Sequence, residues 1–223
     1  MRIATWALPA LGALCCSVAE VEAAAYVLGD SLGEGVAQVA QKAAHAKGLA
    51  KISVHIRGRK ALEQIAQTPP GSTAFLVLGT NDANGSIARL DKSIDDIVSA
   101  AEKKNITLVW MGPPCVRKSW DTRARELDVI LREKLASTSV RYVSMRDDEM
   151  CSGAFHEPDG VHLKMKGYVH MWEKARSAAG FAVASVDAAP DTTGIATPRA
   201  TAPKKAARIP LPLPRRPLPG EAN

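Results

Sequence analysis

Aromatic residues fill only 4% of the 223 positions, so an aromatic platform for stacking RNA bases is excluded. Neither a helix-turn-helix nor a zinc-finger pattern is present, and the net charge of +6 is thinly spread. Residues 1 to 25 hold one Arg against two Glu. Residues 187 to 223 hold six basic against three acidic side chains, which leaves +4 for everything between. Positive charge so dispersed serves solubility, and nucleic acid is excluded as a partner. The apolar stretch Ile3 to Val18 falls short of the roughly 20 residues of a membrane span, so no stable insertion is expected. Internal repeats are absent. His156, Glu157, Asp159 and His162 are metal-ligand types, but they lack the helical spacing of H-E-x-x-H, so neither a metal nor an organic cofactor is expected.

What is present begins with that first apolar stretch, which follows Arg2 and runs into Ala23, Ala24 and Ala25, as a secretory signal peptide does. Small residues at 23 and 25 favour cleavage before Tyr26, with a cut after Ala23 as the second choice. Leu14 precedes the Cys15–Cys16 pair where a lipoprotein signal needs a small residue, so both cysteines are expected to leave with the leader. Export places the chain in the periplasm or outside the cell. There the two remaining cysteines, Cys115 and Cys151, are expected to form a disulfide. At the other end, eight of the fourteen prolines lie between Pro190 and Pro219, interspersed with Lys204, Lys205, Arg208, Arg215 and Arg216. That composition predicts a disordered or polyproline-like basic tail over 187–223, a plain extended tail being the commoner case and contact with an anionic envelope polymer or a partner groove the functional reading.

Between these ends, over 26–186, short apolar runs alternate with amphipathic stretches, as expected of a single α/β domain. Strands are predicted at Ala24 to Leu28, Ile52 to Ile56, Ala74 to Leu78, Thr107 to Met111 and Arg141 to Val143. Helices are predicted at Glu34 to Lys47, Lys60 to Gln67, Ile87 to Lys104, Thr122 to Ala136 and Lys166 to Ala179. Near-continuous apolar strands such as Phe75-Leu76-Val77-Leu78 belong in a parallel sheet buried on both faces. The expected architecture is a three-layer α/β/α sandwich with a five-stranded parallel sheet and a flavodoxin-like look. Its active site would lie beyond the carboxyl ends of the strands.

Three segments at those strand ends carry acyl-transfer chemistry. In Gly29-Asp30-Ser31-Leu32, a serine at a strand-to-helix turn puts its hydroxyl in the crevice and its own N–H at the positive helix end. Taken alone the segment is equally a helix N-cap. In Gly79-Thr80-Asn81-Asp82, an amide on a glycine turn aims at the oxygen of a tetrahedral intermediate; taken alone it is also an ordinary Asx turn. In Asp159-Gly160-Val161-His162, an acid three residues before a histidine can orient the imidazole within one loop. Histidines 45, 55 and 170 fall on predicted helices or a strand and lack such neighbours. Trp120 and Trp172 could line a pocket, though packing is the commoner role for such residues.

In order and spacing these three segments resemble blocks I, III and V of the SGNH/GDSL hydrolases, over about Tyr26 to Ala179. The resemblance implies a triad of Ser31, His162 and Asp159. It also implies an oxyanion hole made by the Ser31 N–H, the Asn81 side chain and the N–H of a glycine after the second strand. Gly58, in Ile56-Arg57-Gly58-Arg59, is the only glycine at that place, although the two flanking arginines depart from the family pattern. The implied activity is a serine esterase on a small ester or acylated carbohydrate, with short O-acetyl groups favoured because no long lid insertion is present. Lipid esters or thioesters, or a non-enzymatic envelope protein keeping the fold, are the alternatives. Leu32, Glu34 and Val36 stand near enough to Ser31 to shape its pocket.

Overall fold

A computed structural model describes residues 24–181. The leader but for Ala24 and Ala25, the Cys15–Cys16 pair and the proline-rich tail lie outside the described residues.

Five parallel strands form the sheet, in the order β2-β1-β3-β4-β5. They are β1 (Ala25–Gly29), β2 (Lys47–Gly48), β3 (Thr73–Val77), β4 (Thr107–Met111) and β5 (Arg141–Val143). Every residue of β1 and β3 is buried, as strands covered on both faces require. Successive side chains point to opposite faces, so each strand feeds two cores. On one face Leu28, Leu76 and Trp110 meet helices α2 (Arg59–Gln67), α4 (Asp91–Glu102) and α5 (Asp121–Leu135) through Ile65, Ile94 and Leu127. On the other, Val27, Phe75 and Val109 meet α1 (Ser31–Ala44) and α7 (Met165–Ala179) through Val36, Met171 and Trp172. The result is the expected three-layer α/β sandwich. Two short helices, α3 (Thr80–Asn84) and α6 (Asp148–Cys151), add to the five long ones.

The second strand departs from the expected place. Residues 52–56 are a turn and loop. Ile52 is 64% exposed and Ser53 sits at φ 56°, a left-handed conformation that ends any extended run. The edge pairing lies earlier: beyond the two residues of β2, the N–H groups of Leu49 and Ala50 donate to Val27 O and that of Lys51 to Gly29 O. Val54 and Ile56 look strand-like because they are buried, but they anchor a loop that passes over the sheet's carboxyl edge. His55 is therefore a loop residue and His45 the C-cap of α1.

The chain leaves β1 first toward β2 and then, on the other side, toward β3. The strand order therefore reverses at the carboxyl ends of β1 and β3, where a crevice opens. The first residue of β1, Ala25, is buried and registers with Thr73, and Ala24 O accepts from Thr73 N, so a cut before Tyr26 would shorten this strand. No helix among the described residues is long and apolar enough to cross a membrane.

Candidate active site

The turn after β1 is built for close approach. Gly29 has φ +119°, and a Cβ there would fall 1.8 Å from Val77 O on the neighbouring strand. Only glycine fits. Gln64, buried on α2, clamps this residue from both sides: its Oε1 accepts from Gly29 N (2.7 Å) and its Nε2 donates to Gly29 O (3.0 Å). Asp30 follows as the N-cap of α1, its Oδ1 accepting from Leu32 N at 3.0 Å. Ser31 is then the first residue of the helix. Its N–H has no acceptor among the described residues, as a first-turn N–H should not.

In the loop just before α7 the chain closes on this hydroxyl. His162 Nε2 lies 3.0 Å from Ser31 Oγ, and His162 Nδ1 lies 2.6 Å from Asp159 Oδ2. Asp159 Oδ1 accepts from the N–H groups of Val161 (2.8 Å) and His162 (2.9 Å), so a single carboxylate folds the loop and orients the ring. The hydrogen bond to His162, helped by Val161 N–H, lowers the Asp159 pKa to about 2. Since the ionised carboxylate accepts, Nδ1 carries a ring proton, and in the neutral ring this turns the Nε2 lone pair toward the serine. The His162 and Asp159 side chains remain 45% and 48% exposed, so this arrangement is open to solvent.

Asn81 lies on α3, directly beyond β3, and its Nδ2 donates one hydrogen to Val54 O at 2.9 Å. The amide has a second hydrogen to offer. Asp82 beside it is buried and accepts from Ile56 N at 2.9 Å, and burial raises its pKa. These two contacts hold the 54–56 loop, and two residues on Gly58 forms the N-cap of α2 at φ +114°. Its N–H likewise has no acceptor among the described residues. The arginines flanking Gly58 are exposed, and Arg59 is within 3.6 Å of Glu63 one turn on.

Cys115 and Cys151 form a disulfide, with their Cα atoms 5.0 Å apart. Around it the β4–α5 segment braces the histidine loop. His156 Nε2 donates to Cys115 O at 2.7 Å, and Arg117 N donates to Gly160 O at 2.7 Å. His156 is thus a buried structural residue, and the described residues contain no group of three or more His, Cys, Asp or Glu arranged to hold a metal ion. Trp172 is fully buried, its ring 4.8 Å from that of Phe75, so it packs the core. Leu32 and Val36 also turn to the core, leaving Glu34 alone of that trio at the surface of α1.

Sequence reading passed over Gln64 and weighed His156 only as a metal-ligand type. Gln64 did leave a signal, because it interrupts the apolar face of α2 between Ala61 and Ile65, where a polar side chain must find a buried partner.

Three α/β/α layers with a crevice at the reversal of the strand order define a class of fold, and solved structures share it. No family profile and no curated protein matches the sequence. Solved structures do match. A lipolytic G-D-S-L family protein from Veillonella parvula superimposes with TM-score 0.57 at 18% identity, covering 69% of this chain and 96% of its own. A catalytic mutant of an acetylxylan esterase from Geobacillus stearothermophilus gives TM-score 0.58 at 15% identity, covering 74% and 97%. The catalytic domain of peptidoglycan O-acetyltransferase A from Streptococcus pneumoniae gives 0.53 at 16%, covering 71% and 94%. The chain has the fold of the SGNH/GDSL hydrolases.

Proposed function

We propose that this protein is an exported serine esterase that removes short acyl groups, O-acetyl above all, from a carbohydrate. The observation that carries the reading is the series Ser31 Oγ to His162 Nε2 at 3.0 Å and His162 Nδ1 to Asp159 at 2.6 Å. Ser31 attacks the ester carbonyl as its proton passes to Nε2, and Asp159 stays ionised to balance the imidazolium. The oxyanion is received by the Ser31 and Gly58 N–H groups and the second amide hydrogen of Asn81. Collapse expels the alcohol, which takes its proton from His162. Water then enters, loses a proton to Nε2 and releases the acid by the same path.

The exposed Asp159 and His162 suit an acyl group carried on a bulky or polymeric alcohol. Two structural neighbours are named for acetyl chemistry on xylan and peptidoglycan, which agrees with that choice. A second reading, a lipid ester, draws on a cleft of about 430 Å³ in which Phe155, Met165 and Val169 stand among Glu149, Lys166, His170 and Glu173. In the exported form the leader is cut after Ala23, which leaves β1 whole, and the basic tail contacts anionic envelope polymer. Hydrolysis of p-nitrophenyl esters from acetate to laurate, with Ser31→Ala beside the parent, tests the reading. Serine-dependent activity that is highest on acetate is expected. A maximum at long chains would favour the lipid ester, and the absence of serine-dependent turnover on any ester would overturn the assignment.

A further inference from the structure

Along α1 the sequence places Ser31, Glu34, Gln38, Gln41 and His45 at alternating intervals of three and four, which puts them in one row on one side of the helix. The row spans about 21 Å at 1.5 Å per residue, roughly the length of four linked sugars. Beyond Ser31 it forms a wall of an open groove of about 660 Å³, with Lys47 on the facing side and Ala37, Gly48 and Ala50 also lining it. That volume is in the range of ligand sites. None of the five polar groups, Glu34, Gln38, Gln41, His45 or Lys47, makes a side-chain hydrogen bond or ion pair among the described residues, and Lys47 only overhangs the Tyr26 ring at 5.9 Å.

His45 adds an independent sign. It is the C-cap of α1 at φ 51°, ψ 25°, a left-handed position where glycine is unstrained and most side chains are disfavoured. A histidine stands there, and it lines the groove.

We infer that this groove is a subsite for a glycan chain, holding the polymer that carries the ester presented to Ser31. The inference rests on the esterase reading and deepens it. Amides and an imidazole offer neutral donors and acceptors matched to sugar hydroxyls, and the small floor residues leave room for the flat C–H faces of the rings. One acid and one base leave the groove without a dominant charge, which suits a glycan chain without strong net charge. A lipid tail would find no apolar wall here.

The test compares the parent with the triple variant Gln38→Ala, Gln41→Ala, His45→Gly, whose positions are exposed and whose last change relieves backbone strain. The substrates are O-acetylated xylo-oligosaccharides of one to six units, O-acetylated peptidoglycan glycan fragments of matching length, and p-nitrophenyl acetate. The parent should gain about tenfold or more in kcat/KM from one to four units on one of the two glycans, and the variant should lose that gain while p-nitrophenyl acetate hydrolysis stays within about twofold. Which glycan shows the gain distinguishes the source. Equal length dependence in both proteins, or none in the parent, overturns the inference. Independently, amide shifts of the Ser31→Ala protein titrated with the unacetylated tetrasaccharides should cluster at Gln38, Gln41, His45 and Lys47. Shifts there without any parent hydrolysis would keep the groove and overturn the esterase, and no binding of either tetrasaccharide would overturn the groove.

Discussion

Asp30 sits between the glycine turn and the serine without joining the proton relay. It is 1% exposed, one oxygen caps α1, and Oδ2 has no partner among the described residues. Burial, opposed by the Leu32 and Gly33 N–H groups, raises its pKa to about 7. The folded protein therefore holds a proton that the unfolded chain releases near pH 4, and stability falls as pH rises from about 4 to about 7. The full effect is of order 4 kcal/mol. Asp82, whose pKa burial also raises, acts in the same direction, whereas Asp147 and Asp159, both lowered to about 2, destabilise only on acidification below about pH 4. Asp30→Asn keeps the capping oxygen and loses the titration. Urea unfolding at several pH values should show the variant gaining on the parent from pH 4 to 7 and then holding its lead; parallel curves would exclude this account. Ser31, Asn81, Asp159 and His162 stood out as candidates because each is a reactive side chain in a short distinctive segment, Ser31 and Asn81 just beyond β1 and β3 and the other two in the loop before α7. Gln64 and His156 act on backbone atoms 35 and 41 positions away, a distance no local pattern encodes.

Among the elements, periodicity located the long ones and misjudged the irregular ones. β4 and β5 lie where their apolar runs place them, while α1 starts at Ser31 instead of Glu34 because Asp30 caps it three residues earlier. Helix α4 begins at Asp91 instead of Ile87 because Arg89 takes φ 58°, which breaks a helix. Helices α3 and α6, with five and four residues, are too short to display a period at all. Both matter to the site, since α3 carries Asn81 and α6 ends on Cys151. The disulfide closes a 36-residue separation between the β4–α5 segment and the end of α6, at the base of the loop holding Asp159 and His162. Chain-entropy reasoning assigns such a link about 4 kcal/mol. Replacing both cysteines by Ala should lower the urea-unfolding free energy by about that amount and lower kcat as the histidine loop loosens. A double variant within about 1 kcal/mol of the parent would show that the hydrogen bonds through His156 and Arg117 suffice.

At the scale of the whole molecule, the alternation of strand and helix implied the layers, and reversal of the strand order at β1 and β3 set the crevice. Residues 52–56 read as a strand because the apolar, buried Val54 and Ile56 mimic one, though they serve a loop tied down by Asn81 and Asp82. Everything then converges on one oxygen, Ser31 Oγ, which β1, α1 and the α6–α7 loop bring against an oriented imidazole. A fluorophosphonate ester reacts far faster with a serine activated by an adjacent base than with an ordinary hydroxyl. After incubation with the purified full-length protein, peptide mass spectrometry should find one phosphonyl group on Ser31, with the rate of labelling reduced at least about a thousandfold in His162→Ala. A parent protein left unlabelled, or labelled equally fast without His162, would contradict the account.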